Sequence, residues 1–272
     1  MENIMIGDNK KLCSIKKILA VFVTTGIFMA PSLSFAARPL VTDDAGTVGK
    51  GKIQIELGTE SSTRKITRDD IEIKETGTEL SGTLTYGLTE SLDMVIGLPY
   101  SWNRIREDDN TVSNANGFSD ISLEAKWRFF EKNDYGFAFK PCITLPSGNE
   151  EKGFGTGRPI YGLLFIATKK MGVLSFHYNA GYIRKENKID QRYDIWKTSF
   201  ASTHEVIQGL NLVGDIGIEC NCDSQIQTDP AFGLFGINYA VGKHLTIDAG
   251  FKFGLNKQQV DNSIIAGITF VF

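Results

Sequence analysis

Apolar and polar residues alternate along most of this chain, and the alternation is clearest over residues 118–130. The apolar positions of that run share one face: Ile121, Leu123, Ala125, Trp127 and Phe129. The opposite face carries Asp120, Ser122, Glu124, Lys126 and Arg128. A helix would spread these charges around its surface, whereas a strand separates them because successive side chains point to opposite sides. The run therefore predicts a strand with one apolar and one charged face.

The same alternation predicts twelve strands in all. They are residues 52–61, 76–86, 92–102, 118–130, 135–145, 160–168, 173–182, 194–202, 210–220, 231–241, 245–253 and 263–272. The sixth and the tenth are apolar on both faces, so their register is not specified by the pattern. The last strand ends on Phe272 with no polar tail. We expect it to pair with residues 52–61, with Ile264, Ala266, Ile268, Phe270 and Phe272 facing outward.

The connections between these strands alternate in length. Long ones are expected at 62–75, 103–117, 146–159, 183–193, 221–230 and 254–262, and tight turns near 87–91, 131–134, 169–172, 203–209 and 242–244. The long connections would therefore meet at one rim and the turns at the other. An even number of strands with this asymmetry is typical of an outer-membrane barrel. The predicted fold is all-β: a 12-stranded antiparallel up-and-down transmembrane β-barrel.

Energetics assign the two faces of the barrel wall. A Lys or Arg at the bilayer midplane costs about 2–4 kcal/mol, so the charged face must line the lumen. The aromatic face then meets lipid, and Tyr86, Tyr100, Trp102, Trp127, Tyr135, Tyr182, Trp196 and Tyr239 would form interface girdles. The lumen-lining candidates are Glu56, Asp93, Asp120, Glu124, Lys126, Arg128, Lys140, His177, Asn179, Lys197, Asp215, Glu219, Asp248 and Lys252. These charges could sort solutes in a narrow pore or fill the lumen with ion pairs, and both interpretations stay open.

The pattern of the amino terminus is typical of an export signal. Lys10, Lys11, Lys16 and Lys17 precede an apolar core, and Ser34-Phe35-Ala36 offers small residues for cleavage, so residues 1–36 are predicted to be a signal peptide. Its removal takes away four Lys and two acidic residues and changes the formal net charge from −3 to −5. An acidic exported chain without a basic stripe is a poor nucleic-acid binder. Residues 37–51 are expected to form a periplasmic segment, and residues 52–272 the barrel.

The sequence gives only weak signals of a catalytic, phosphate-binding or metal-binding site. Ser175, His177 and Asn179 share a strand face, but a hydroxyl two residues before the His lies about 7 Å away, too far to be activated directly. The glycine-rich run 153–157 has no following helix with which to bind phosphate. Thr42, Asp43 and Asp44 provide an incomplete cation shell. Cys142, Cys220 and Cys222 lack the spacing of a disulfide framework. No cofactor and no metal site is predicted.

Several stretches resemble the family labelled "MetA-pathway of phenol degradation", whose members are often called transporters. The most specific is the run from Arg38 to Thr47, with Arg38, Pro39, Thr42, Asp43, Asp44 and Gly46 as its motif. Residues 84–89, 97–100, 117–120 and 145–148 support it. The resemblance implies an outer-membrane barrel that moves small compounds, among them aromatic ones.

We therefore expect an outer-membrane channel for passive uptake of small solutes, aromatic or hydrophobic compounds included, in a Gram-negative-type envelope. The alternatives are a lipid-modifying barrel enzyme and a closed structural or adhesive barrel. The expected partners are the lipid bilayer, a small-molecule solute and the barrel-assembly machinery, which would read the carboxyl-terminal strand. A further hypothesis is that the amino-terminal segment tucks into the mouth at the turns and partly occludes it.

Overall fold

The computed structural model describes residues 38–68, 71–108, 110–186, 192–221, 229–256 and 259–272. The predicted signal peptide and Cys222 lie outside these residues. The described chain forms thirteen strands: β1 (Ile53–Arg68), β2 (Ile71–Gly87), β3 (Leu92–Glu107), β4 (Asn110–Phe118), β5 (Ile121–Lys132), β6 (Tyr135–Leu145), β7 (Ile160–Met171), β8 (Leu174–Glu186), β9 (Arg192–Ile207), β10 (Leu210–Asn221), β11 (Ala231–Val241), β12 (Leu245–Gly254) and β13 (Asn262–Val271). None of the described residues forms a helix long and apolar enough to cross a membrane.

These thirteen strands occupy twelve positions in the barrel wall. Strand β5 pairs with residues 92–97 of β3, and β4 pairs with residues 100–107 of the same strand. The two short strands are thus successive parts of one wall position, interrupted at Ser119 and Asp120. All neighbouring strands are antiparallel, and β1 pairs with β13, so the sheet closes. The predicted 12-stranded antiparallel barrel is confirmed.

Two of the predicted long loops are in fact strand. Strands β1 and β2 continue as a hairpin to Arg68 and from Ile71, and β3 and β4 continue to Glu107 and from Asn110. The predicted loops 62–75 and 103–117 were therefore wrong. Beyond the bilayer both faces of a strand meet water, so the sequence loses the alternation that identifies it. We call this end of the barrel the loop rim and the opposite end the turn rim.

The seam between the first and last strands has the predicted pairing. The register runs from Gln54 opposite Val271 to Thr63 opposite Asn262. Ile264 is 66% exposed, whereas its neighbour Ile265 is 6% exposed. Ile264 therefore faces lipid and Ile265 the lumen, as the expected register requires.

The two faces of the wall differ as predicted. Large apolar side chains such as Leu98, Trp127 and Phe235 project outward, where they are accessible to lipid. Six of the predicted girdle residues are exposed (Tyr86, Trp102, Trp127, Tyr135, Trp196 and Tyr239), and Tyr100 and Tyr182 are half-buried. The aromatic rings of Phe129 and Phe139 stack 5.1 Å apart, and those of Tyr182 and Trp196 lie 5.0 Å apart. Charged side chains are instead buried inside the barrel.

Candidate functional site

Most of the predicted lumen residues point into the barrel and are buried there. This buried set comprises Glu56, Asp93, Asp120, Glu124, Lys126, Lys140, His177, Asn179, Asp215, Asp248 and Lys252. Arg128, Lys197 and Glu219 are half-buried. Arg128 lies at the turn rim, where it donates a hydrogen bond to the Glu90 carbonyl and pairs with Glu131. Lys197 and Glu219 are cross-strand neighbours on β9 and β10.

Residues 38–48, which we call the lumen segment, lie inside the barrel. The segment enters from the turn rim and makes hydrogen bonds to strands on all sides. The Val48 N–H donates to Asp93 Oδ2 on β3 (3.0 Å), and the Ala45 N–H donates to Thr168 Oγ1 on β7 (2.9 Å). Asp215 on β10 accepts from the N–H groups of Val41 and Thr42, both at 2.7 Å, and from the Thr42 hydroxyl at 2.6 Å. These wall side chains satisfy main-chain groups of a segment that has no secondary structure of its own.

Asp43 is the most completely bound residue of the lumen segment. Its carboxylate meets two lysines, with Oδ1 2.7 Å from Lys126 Nζ and Oδ2 2.7 Å from Lys140 Nζ. Lys140 also lies 3.0 Å from Glu124. The Asn179 amide accepts from the Asp43 N–H (2.7 Å) and donates to its carbonyl (2.8 Å). All of these side chains are buried. Each charge in the group has an opposite charge beside it, which offsets the cost of removing these charges from water.

The amino-terminal end of the lumen segment packs against paired glycines of the wall. Arg38 donates to Asp248 Oδ2 on β12 (3.3 Å) and to the Ala266 carbonyl (2.9 Å). Its guanidinium lies over Gly58 and Gly267, which face each other across the seam between β1 and β13. A Cβ atom on either glycine would overlap the guanidinium. Glycine is therefore required here by close approach.

Pro39 packs over a second glycine pair. Gly236 on β11 and Gly250 on β12 are opposite each other in register, and a Cβ at either would crowd the proline ring. The two glycine pairs form a shallow recess in the wall, which receives the start of the lumen segment.

The apolar side chains of the segment explain the two strands whose register was ambiguous. Leu40 packs in an apolar cluster with Phe232 and Leu234 of β11, and Ala45 packs with Leu164 and Ile166 of β7. The inner faces of these strands are apolar because they contact the segment, while their outer faces meet lipid. A doubly apolar strand in a barrel of this kind is thus a sequence signal for a contact inside the lumen, and it indicates where a segment such as residues 38–48 packs.

Asp44 of the acidic motif stabilises a local turn within the lumen segment. Asp44 Oδ1 accepts a hydrogen bond from the Gly46 N–H, a local turn typical of aspartate. Burial acts to raise the pKa of the Asp44 carboxyl, but the Lys126 ammonium, together with His177 and the Gly46 N–H, holds that pKa below its ordinary value. Asp44 therefore stays ionised beside the lysines. The motif docks the segment, and both oxygens of the Asp43 carboxylate are paired with lysine ammonium groups.

A cavity of about 400 Å³ remains in the lumen between the segment and the turn rim. Its position follows from its lining, because Gln54, Thr85 and Asp93 lie within two residues of strand ends at that rim. The residues that line this cavity are mostly polar and include charges of both signs. Glu56 and Asp93 each contribute one buried carboxylate oxygen that has no hydrogen-bond partner among the described residues. The lumen is therefore narrowed but not filled.

On the side of the loop rim, the connection between β6 and β7 folds inward. Asp120 accepts hydrogen bonds from the N–H groups of Gly148 (2.9 Å) and Thr156 (3.0 Å). This contact brings Phe154 to 4% exposure, packed over Gly117 of β4. Asp120 thus anchors an outer loop, whereas the sequence indicated only that it lines the lumen. The glycine-rich run 153–157 belongs to this connection and is held at the Asp120 anchor.

The other residues that the sequence offers for catalysis or metal binding do not form a catalytic or metal-binding arrangement among the described residues. His177 Nδ1 lies 3.0 Å from Thr168 Oγ1, and Asn179 binds the main chain of Asp43. Ser175 lines the cavity. Cys142 is a free thiol. Among the described residues, no group of three or more His, Cys, Asp or Glu side chains is arranged to hold a metal ion.

Comparison with known proteins agrees with this architecture. An outer membrane channel from Pseudomonas putida F1 superposes with a TM-score of 0.65 at 15% identity, over 84% of this chain and 98% of that chain. The NanC porin gives 0.53 at 11% identity, over 80% and 98%. The translocator domain of the autotransporter NalP from Neisseria meningitidis gives 0.52 at 14% identity, over 82% and 89%. No curated protein matches the sequence.

These solved structures show that this chain has the fold of an outer-membrane β-barrel. Barrels of this class have short periplasmic turns and longer extracellular loops. A family model matches residues 36–271, which is nearly the whole chain after the predicted signal peptide. The match includes the lumen segment as well as the wall. The chain belongs to the family described as the MetA-pathway of phenol degradation.

Proposed function

We propose that this barrel is a passive channel that admits small solutes, aromatic compounds among them, across the outer membrane. The observation that carries the proposal is the cavity of about 400 Å³ left beside the lumen segment. An apolar cavity of about 150 Å³ is large enough to hold benzene, so this space is sufficient for one aromatic ring with polar substituents. Its lining of both charge signs would order water and solute rather than exclude them.

The lumen segment supports a gated rather than an open channel. It is bound mainly by hydrogen bonds and ion pairs to side chains of the wall, and its apolar contacts are those of Pro39, Leu40, Val41 and Ala45. Each hydrogen bond of this kind can be exchanged for water at moderate cost, because a typical one contributes only about 0.5–1.5 kcal/mol net, whereas the buried ion pairs of Asp43 cost more to break. The segment can then leave while the wall stays closed by its own strand pairing.

A hydrolytic role has less support. Catalysis by a Ser–His pair needs the hydroxyl within hydrogen-bond reach of the imidazole. His177 instead contacts Thr168, and Asn179 is occupied by the main chain of Asp43. The three side chains therefore do not form a relay.

Single-channel recording in planar bilayers tests the proposal. Full-length protein should give stable current steps, and deletion of residues 38–48 should raise the conductance of each step several-fold, because the lumen segment occupies part of the lumen and is hydrogen-bonded to β3, β7 and β10. A Lys252→Met variant is the matched control, since Lys252 pairs with Glu60 outside the segment. Absence of steps from both proteins would refute the channel. Silence with release of fatty acid from the bilayer would favour the enzyme, and silence without hydrolysis the closed structural barrel.

A further inference from the structure

The barrel wall recognises Asp43 through contacts that suit a free carboxylate. Lys126 and Lys140 each bind a different oxygen of its side chain at 2.7 Å, an arrangement that holds both oxygens in place. Asn179 holds the main chain on the other side. The wall groups belong to three strands, β5, β6 and β8, and none of them depends on the lumen segment for its position in the sheet.

Charge favours an anion at this place. Lys126 and Lys140 carry two positive charges, and Glu124, 3.0 Å from Lys140, carries one negative charge. The wall group alone therefore has a net charge of +1, which the Asp43 carboxylate neutralises. Both lysines are at least nine-tenths buried, so an unneutralised charge here would be costly. When the segment leaves, another anion must compensate the lysines or water must enter.

We propose that Lys126, Lys140 and Asn179 form a carboxylate-binding subsite in the lumen, which Asp43 of the same chain occupies as an internal ligand. A small monocarboxylate competes for the two lysines and takes the position when the segment is displaced. The inference rests on the proposed channel function only for its biological meaning: it identifies organic acids as a solute class. Binding itself can be measured whether or not the barrel conducts.

The test is an NMR titration of ¹³C-acetate against full-length protein in detergent micelles. In Asp43→Ala the internal carboxylate is absent and a space of its size is left between the lysines. We expect this variant to bind acetate at least about tenfold more tightly than the wild type does, corresponding to about 1.4 kcal/mol. Acetamide, which has the same shape without the charge, should not bind. Asp43→Ala combined with Lys140→Met should lose the binding.

Equal acetate affinity in the wild type and Asp43→Ala would overturn the proposal, as would equal binding of acetamide. If Asp43→Ala does not assemble, deletion of residues 38–48 exposes the same lysines, and that variant must then bind acetate saturably. A protein that binds acetate but gives no current steps would refute the channel and leave the subsite intact. A conducting protein without acetate binding would refute the subsite alone.

Discussion

Lys140 is the side chain whose removal should most directly release the lumen segment. It pairs with Asp43 at 2.7 Å and with Glu124 at 3.0 Å, and all three side chains are almost completely buried. Lys140→Met keeps the length and most of the volume but removes the charge. Asp43 then loses one of its two charged contacts, and a contact of this kind stabilises the docked segment by about 1.5–3 kcal/mol. The repulsion between the Asp43 and Glu124 carboxylates is also no longer offset by a lysine between them.

We therefore expect docking of the segment to weaken by about 3 kcal/mol, within the range of about 3–5 kcal/mol typical of a broken buried pair. At 1.4 kcal/mol per factor of ten, the undocked population rises by about two orders of magnitude. The wall remains folded, because Lys140 takes no part in strand pairing through its side chain. The loss thus appears as local undocking rather than global unfolding.

Native-state proteolysis measures that population. Thermolysin cuts before apolar residues, and Leu40 is only 4% exposed while the segment is docked. When opening and closing are faster than cleavage, the cleavage rate follows the fraction of undocked molecules. Mass spectrometry of the purified barrel should therefore find cleavage within residues 38–48 about 100-fold faster in Lys140→Met than in the wild type.

The control for this experiment is Lys252→Met. Lys252 is buried, like Lys140, and pairs with Glu60; among the described residues it has no ion pair with the segment. Its removal should leave cleavage within a factor of about three of the wild-type rate. If Lys252→Met accelerated cleavage as much as Lys140→Met, or if Lys140→Met left the rate unchanged, the ion pairs of Asp43 would not be what docks the segment.

Three further perturbations have defined outcomes. Gly267→Val would place side-chain atoms where Arg38 lies, so thermolysin should cut the segment at least about tenfold faster while heat-modifiable migration on gels shows an intact barrel. Asp120→Ala removes the acceptor that holds residues 148–156 inward. Limited proteolysis should then cut this loop in the folded variant and should leave the same loop of the wild type intact. Removal of Phe270–Phe272 should prevent insertion into the outer membrane, as measured by membrane fractionation; normal insertion of the truncated chain would refute a role of the last strand in assembly.

The wall could be predicted from the sequence because the physics that shapes it is local. A strand between lipid and water must alternate, and residues 118–130 and 245–253 do so almost without exception. Where the environment is the same on both faces, the pattern fails. Beyond the bilayer both faces of the hairpin arms meet water, and the predicted loop at 62–75 is wrong for that reason. Inside the barrel, β7 and β11 are apolar on both faces because of Ala45 and Leu40.

The candidate site was predicted only as a list of inward-facing residues. The sequence identifies Lys126 and Lys140 as lumen candidates and Asp43 as part of an acidic motif, but it does not show that these residues meet. Their contact depends on the path of an irregular segment through the lumen, which no periodicity records. Local signs of that path are the doubly apolar strands β7 and β11 and the glycine pairs 58/267 and 236/250, since inward glycines leave room for another group to approach.

The place where Arg38 rests has a consequence for the order of assembly. Its recess is made half by Gly58 of the first strand and half by Gly267 of the last, with Asp248 beside them on the penultimate strand. No part of the chain provides this recess until both ends of the sheet have met. The segment therefore cannot reach its final position in a barrel that is still open. While the sheet remains open, the two glycines instead leave an unobstructed strip along the edges that must join, and the arginine closes over that strip once they have joined.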